Sequence, residues 1–325
     1  MRIGVLTSGG DAPGMNAAIR AAVRQADALG HEAWGIRRGY QGLLEKDWAP
    51  MPSRACANIL QRGGTVLQTA RCPEFHQEGR RAEAAANLRE AGIQALVIIG
   101  GDGSFRAAEA LNREQGIPCA GIPGTIDNDL PGTDRTLGFD TALNTAVEAI
   151  DRIRDTASSH GRLFLVEVMG RRSGMLAVHT ALACGAEAVL YPESPDDSYQ
   201  TLVARLHANW LRGKRSSIVV VAEGDELGNA VAVGERLRRD YGLDLRVAVL
   251  GHVQRGGSPS ALDRIWGSRW GAEAVRRLGA GQGGFYLGEV AGALARQPPA
   301  RLLDPRPAPP EPLADLVAIP SRQAG

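Results

Sequence analysis

The sequence predicts an α/β fold with mostly parallel sheets, divided into two domains. Three features carry that expectation. Short β-branched runs alternate with helical patterns along most of the chain, the arrangement that builds parallel sheets through helical crossovers. A chain of 325 residues with 44% hydrophobic side chains is long enough for two cores of ordinary size. The unusual residues (glycine doublets, adjacent acids, embedded arginines) gather where the apolar runs end, and open parallel sheets bind ligands beyond the carboxyl ends of their strands.

Taken in order, strands are expected over residues 3–7, 33–36, 95–99, 119–122, 163–168, 188–190, 218–222 and 245–250. Helices are expected over 15–29, 83–91, 105–115, 141–156, 174–183, 199–211 and 263–278. The helix from Thr141 is well patterned: Leu143, Val147, Ile150 and Ile153 share one face, away from Asn144, Glu148, Asp151 and Asp155. One domain covers residues 1–138 and is completed by about 254–300; a second covers 139–253. The Pro-rich tail, 298–325, reads as an extended surface segment ending in a short helix near 313–317. No fixed-period repeat is evident.

A net charge of +1 gives no electrostatic reason to expect nucleic acid or a membrane as partner, and no apolar run reaches transmembrane length. The N-terminal "MRIGVLTSGG" reads as a first strand entering a turn and not as a signal peptide. Cys56, Cys72, Cys119 and Cys184 form no metal-spaced pair, and reduced thiols in a cytoplasmic enzyme are their ordinary reading.

Six turns follow six of the expected strands: "SGGDAPG", "GGDGS", "PGTIDND", "MGRRSG", "EGDE" and "GHVQRGG". Any one alone is a tight βα turn; six together point to a large polar active site. Gly9–Gly10 and Gly100–Gly101–Asp102–Gly103 let backbone amides face phosphate oxygens. Neither is a Walker A loop nor a dinucleotide fingerprint. Asp102 places a carboxylate inside a phosphate-sized nest, and a Mg²⁺ ion between the two anions removes their repulsion. Arg71, Arg162, Arg171, Arg246, Arg255 and His252 lie in or near the turns, and guanidinium forks suit phosphate oxygens. In outline this is a phosphoryl-transfer site. "TIDND" then fits as its acid–base element, one Asp taking a hydroxyl proton while the other orients it or touches the metal; an Asx-turn is the structural alternative and suffices for Asn128.

"GVLTSGGDAPGMNAAIR", "LQRGGT", "GGDGS", "PGTIDND", "GFDTA", "EVMGR" and "LGHVQRGGSP", in that order, resemble the bacterial ATP-dependent 6-phosphofructokinases from residue 2 to about 288. The resemblance implies two Rossmann-like α/β/α domains with the active site in the cleft between them. It implies transfer of the γ-phosphoryl of MgATP to the 1-hydroxyl of fructose 6-phosphate. Asp127 would be the base, Asp129 its helper and Asp102 the Mg²⁺ ligand. Gly10, Arg71 and Thr125 would surround the transferring group, and Arg171 would steady its charge. Cys72, Gly101, Gly103 and Ser104 would complete the nucleotide side. Met169, Gly170 and Glu223 would hold the sugar, and Arg162, Arg246, His252 and Arg255 its 6-phosphate. In the family, the residues matching Arg162 and Arg246 come from a neighbouring subunit, so a homo-oligomer, usually a tetramer, is implied.

Pyrophosphate-dependent relatives tend to carry Asp where this chain has Gly103 and Lys where it has Gly124, so both positions read ATP. An effector site for ADP and phosphoenolpyruvate is implied by Arg20, Arg24, Arg154, Glu187, Arg212 and Lys214. Around "PSRACANIL" the chain departs from the family pattern at Ser53, Arg54 and Asn58: Arg54 replaces a lost positive charge, or the alignment slips by one.

Overall fold

The computed structural model describes residues 1–194 and 199–318; positions 319–325 of the expected tail lie outside the described residues. The chain forms two units. Among the described residues, the first comprises Met1–Ile126, Leu130–Thr141 and Arg255–Arg306; the second comprises Asp127–Asp129, Ala142–Gln254 and Pro307–Ala318. The backbone passes from one unit to the other five times, after Ile126, Asp129, Thr141, Gln254 and Arg306.

The first unit contains β1 (Arg2–Ser8), α1 (Met15–Ala28), β2 (Glu32–Ile36), α2 (Tyr40–Glu45), β3 (Trp48–Pro50), α3 (Glu78–Glu90), β4 (Ile93–Gly100), α4 (Asp102–Gln115), β5 (Cys119–Thr125) and β6 (Leu137–Gly138). After the second unit it resumes with α9 (Ala261–Gly279), β11 (Phe285–Val290) and β12 (Ala293–Gln297). Its eight strands lie in the order β12-β11-β5-β4-β1-β2-β3, with β6 beside β5. Only β2–β3 and β11–β12 pair antiparallel. β4 is buried at every position except Gln94, as a central strand covered on both faces must be. Leu6, Ile36, Leu43, Leu88, Leu96, Ile98 and Leu111 fill the core under α2, α3 and α4, each stabilising the fold by about 1.5–3 kcal/mol. α1 packs on α9 through small residues: a Cβ at Gly271 would stand 2.3 Å from the carbonyl oxygen of Ala18.

The second unit contains most of α5 (Phe139–His160), then β7 (Leu163–Val168), α6 (Met175–Ala183), β8 (Ala188–Leu190), α7 (Tyr199–Leu211), β9 (Ser217–Ala222), α8 (Ala230–Tyr241), β10 (Leu245–Val249) and α10 (Glu311–Ala318). Its four strands, in the order β10-β7-β9-β8, all pair parallel. Alternate residues separate two cores. Val166, Val168, Ile218 and Val220 pack with α5 and α6, while Leu165, Val219 and Val221 pack with α7 and α8.

The observed elements extend the expected ones where end effects dominate. α4 begins at Asp102, three residues earlier than the apolar pattern suggests, because a carboxylate in the first turn is favoured by the helix dipole. α8 was not anticipated; Asn229 caps it, its side chain accepting from the Ala232 N–H at 3.0 Å. The β11–β12 hairpin was not anticipated either. The tail forms a 3-10 turn at Pro299–Leu303 and then α10, whose Val317, Leu313 and Ala314 join the α6 core.

Candidate active site

In the first unit β1 is flanked by β2 on one side and β4 on the other. The crossover from β1 leads to β2, whereas β4 is added on the opposite side, so the carboxyl ends of β1 and β4 border a topological switch point. Gly9–Gly10 and Gly100–Gly101 lie there; Ser8 pairs with Gly100 in the ladder. The approach is close enough to require glycine: a Cβ at Gly100 would stand 2.5 Å from the Ser8 carbonyl oxygen and 2.6 Å from Ser104 Oγ. Gly101 is the N-cap of α4, and Asp102, Gly103 and Ser104 form its first turn. Gly101 and Thr125 are neighbours, 3.9 Å separating an added Cβ from Thr125 Cβ. The Thr136 hydroxyl donates to the Thr125 carbonyl at 2.5 Å.

The two donor-reading glycines differ. A Cβ at Gly103 would meet nothing within 4 Å, so the space beyond it is open. A Cβ at Gly124 would press on Met15 Cε at 3.0 Å and Ile99 Cγ2 at 3.1 Å. Packing alone therefore explains glycine at 124, and the steric argument for ATP rests on Gly103.

The "LQRGGT" and "QRGGSP" loops are bound to this end of the unit. Asn16 Nδ2 donates to the carbonyl of Arg62 at 2.9 Å, and its Oδ1 accepts from the Val66 N–H at 2.8 Å. The Thr69 hydroxyl donates to the Gly9 carbonyl at 2.7 Å. Gly63 approaches Gly257 so closely that a Cβ would sit 2.2 Å from its carbonyl oxygen. Arg255 also belongs here: its Nη1 donates to the Asp11 carbonyl at 3.2 Å, and a Cβ on Gly10 would stand 2.6 Å from that Nη1. Arg71 is exposed and Cys72 half-buried, at the start of the turn Pro73–His76.

Asp127, Asn128 and Asp129 are buried, at 6%, 3% and 6% exposure. Asn128 has φ +50°, the left-handed conformation that asparagine tolerates better than most residues. That gives Asn128 a conformational task distinct from its two acidic neighbours.

In the second unit Met169, Gly170 and Arg171 follow β7, and Glu223 follows the adjacent β9. Arg171 has φ +58°, and its N–H donates to Glu223 Oε1 at 2.7 Å. The two turns touch: a Cβ at Gly224 would lie 1.8 Å from the Arg171 carbonyl oxygen. Two residues that sequence reasoning missed brace this turn. Gln254, fully buried, accepts from the Met169 N–H through Oε1 at 2.9 Å. Glu193 accepts from the Gly174 N–H at 2.9 and 3.0 Å, and burial pushes its carboxyl above the ordinary range. Gln254 stands beside a glycine pair in "GHVQRGG", whereas Glu193, between two prolines in "YPESP", carries no glycine signal. His252 is exposed in the turn Gly251–Arg255 after β10.

Arg162 and Arg246 do not join that set. Arg162 immediately precedes β7 and pairs with Asp244 at 3.4 Å; Arg246, second in β10, pairs with Asp244 at 2.6 Å. Both sit at the amino ends of β7 and β10, whose carboxyl ends lead to Met169 and to the His252 turn, roughly 15–20 Å away along the strand.

The effector candidates form one group in each unit. In the second, Glu187 pairs with Lys214 and lies 4.0 Å from Arg154, and Arg154 donates to the carbonyls of Cys184 and Gly185; Arg212 is exposed nearby in sequence. In the first, Arg20 and Arg24 share one face of α1 and their charges act on the Cys56 thiol, which burial nonetheless pushes up to about 11. Arg54 lies beside Cys56 in the turn Ser53–Cys56.

Residues 2–278 match the family model described as Phosphofructokinase. The chain is 58% identical over 297 residues to "ATP-dependent 6-phosphofructokinase 1" of Thermus thermophilus, covering 91% of this chain and 92% of that protein. It is 53% identical over 287 residues to "ATP-dependent 6-phosphofructokinase" of Bacillus subtilis, covering 88% and 89%. Among solved structures, phosphofructokinase from Saccharomyces cerevisiae superposes with a TM-score of 0.86 at 35% identity, over 93% of this chain and 45% of the longer yeast chain. On the family match, and on identity above half across nearly its whole length, the chain belongs to the phosphofructokinase family.

Proposed function

We propose that the protein transfers the γ-phosphoryl group of ATP to the 1-hydroxyl of fructose 6-phosphate, releasing fructose 1,6-bisphosphate and ADP in the cytoplasm. The observation that carries the donor is the "GGDG" turn at the switch point of the first sheet, with open space beyond Gly103. Its strongest support beyond that is the identity to relatives named for this reaction.

Gly10, Gly101, Gly103 and Ser104, with the amino end of α4, present backbone and hydroxyl groups to phosphate oxygens. Arg71 and Thr125 flank the transferring group, and Cys72 lies on the nucleotide side. Asp102 fits a Mg²⁺ ligand. It offers one oxygen donor beside a phosphate cradle, and among the described residues no cluster of three or more His, Cys, Asp or Glu could hold a metal by itself. A cation bound through one carboxylate and substrate phosphates suits that donor set. When bound, Mg²⁺ neutralises charge on the phosphoryl oxygens. Asp127 accepts the proton of the 1-hydroxyl as its oxygen bonds to phosphorus and the bond to the ADP oxygen breaks; Asp129 orients Asp127. Glu223, Met169 and Gly170 hold the sugar, and Arg171 stabilises developing charge.

His252 and Arg255 take the 6-phosphate together with Arg162 and Arg246. The position of the last two, at the wrong end of their own sheet, supports their delivery by a neighbouring subunit of a homotetramer. Arg154, Glu187, Arg212 and Lys214 form one half of an effector site for ADP or phosphoenolpyruvate, and Arg20, Arg24 and Arg54 the other.

A steady-state assay with fructose 6-phosphate, comparing MgATP with pyrophosphate, tests the reading. Turnover with ATP is expected, and turnover with pyrophosphate alone overturns it. Asp127→Ser should lower kcat by about 10²–10⁴ while fructose 6-phosphate still binds, as measured by calorimetry. An unchanged kcat removes Asp127 from the chemistry.

A further inference from the structure

Arg106 lies one helical turn beyond Asp102 in α4. Its Nε donates to Asp102 Oδ1 at 2.9 Å, and its Nη2 donates to the carbonyl of Leu302 at 2.5 Å. One guanidinium thus spans the proposed Mg²⁺ carboxylate and the 3-10 turn Pro299–Leu303. That turn is not a loose end. Leu302 is 4% exposed and packs with Phe105, Leu130 and Tyr286. The Phe105 and Tyr286 rings stack at 5.2 Å, and the Tyr286 hydroxyl donates to the Pro131 carbonyl at 2.7 Å. The guanidinium is therefore held at one end by a packed element and at the other by the carboxylate that a cation needs. A lysine, with one ammonium centre on a flexible stem, lacks the planar fork that holds two partners in a fixed geometry.

A positive charge hydrogen-bonded to a metal-binding carboxylate opposes the metal, because the cation must either displace it or share the carboxylate with a like charge. We propose that Arg106 is a built-in competitor of the nucleotide-borne divalent cation for Asp102, and that its displacement is transmitted to the Pro299–Leu303 turn through the Leu302 carbonyl. The inference rests on the nucleotide reading of the "GGDGS" turn. It makes the nucleotide site selective for metal-loaded nucleotide only to the extent that the cation outcompetes the guanidinium, and it extends the site's reach to the C-terminal segment.

The test is a ratio. Calorimetry on the full chain measures ADP affinity with excess EDTA and again with MgCl₂; the quotient of the two Kd values is the metal's contribution. Arg106→Met should raise that quotient about two- to fivefold, the scale of an exposed ion pair, because the cation no longer competes. Arg106→Lys keeps the charge and should leave it near the wild-type value. A quotient that is unchanged or smaller in Arg106→Met overturns the proposal; equal weakening with and without metal would make Arg106 a simple phosphate contact. Hydrogen exchange supplies a second readout. In the wild type, MgADP but not metal-free ADP should speed exchange at Asp304, whose N–H donates to the Arg301 carbonyl at 3.0 Å, and Arg106→Met should abolish that dependence. Equal exchange in every state removes the link to the turn. Failure of the wild type to bind ADP under either condition refutes the nucleotide reading itself, a result distinct from an unaltered quotient.

Discussion

The two units equip their strand ends in different ways. The first relies on backbone: Gly9–Gly10 and Gly100–Gly101 expose main chain at the ends of β1 and β4, and one carboxylate, Asp102, opens the following helix. The second relies on side chains that brace its turns. Glu223 fixes the strained Arg171 amide, Gln254 fixes Met169 and Glu193 fixes Gly174. The difference matches what each would recognise. A polyphosphate presents repeated, identical oxygens, which amides and a helix end serve well. A sugar presents hydroxyl groups in one stereochemical order, which needs individually oriented side chains.

The sharpest attack on the backbone half is Gly103→Asp. Because an added Cβ meets nothing within 4 Å, the variant should fold normally. Its carboxylate would stand beside phosphate, so kcat/KM for ATP should fall about 100-fold or more, with the KM for fructose 6-phosphate changed less than threefold. A comparable rise in the sugar KM would break the proposed division. The matching attack on the braced half is Glu223→Gln. It exchanges a charged acceptor for a neutral one at the Arg171 amide, and about 10-fold in the sugar KM is expected. The nucleotide KM should stay constant; if it moves as far, the braces are not specific to the second unit's ligand.

A smaller effect tests whether the first unit has braces of its own. Asp263 is 3% exposed and accepts from the N–H groups of Gly138 at 2.9 Å and Thr141 at 3.0 Å, and from the Thr141 hydroxyl. An amide has only one acceptor oxygen, so Asp263→Asn turns an N–H group toward an NH₂. That should cost about 1–3 kcal/mol, read as a Tm lower by several degrees. Burial raises the Asp263 carboxyl above its ordinary 3.8. The folded protein then binds this proton more tightly than the unfolded chain, so the group favours folding most at low pH and loses that contribution as pH rises through its raised value. The stability gap between wild type and variant should therefore narrow between pH 4 and neutrality. A gap that widens would mean the hydrogen bonds outweigh burial.

Much of this was legible in the sequence because it is local. β-branched runs marked the inner strands of both sheets, and glycine and acid clusters marked the strand ends where Asp102, Met169 and Glu223 lie. What escaped depends on tertiary partners. Gln254 and Glu193 matter through amides far away in sequence, and Asp263 through Gly138 and Thr141. Gly124 was legible but ambiguous: its proximity to Met15 and Ile99 supplies a packing reason that no single sequence distinguishes from a ligand-based one. α8, by contrast, was legible and is absent from the expected helices all the same: its buried Ala230, Val233, Gly234 and Leu237 recur at i, i+3, i+4 and i+7 behind an Asn229 cap. Arg106 stood in plain view beside "GGDGS", and only the fold-back of the C-terminal turn gave it a second partner.

The five crossings of the backbone between units have a practical meaning for how this molecule can be divided. No single cut, and no pair of cuts, releases either unit as an intact fragment, so neither can be expressed, swapped or circularly permuted as a module. Two of those crossings flank Asp127–Asp129, and a third falls between Gln254 and Arg255. An insertion at any of these three points would separate residues assigned to proton transfer and phosphate binding from the strands that present them. The tolerant sites for tags or split reporters lie elsewhere, in exposed turns such as the one around Gly281 between α9 and β11.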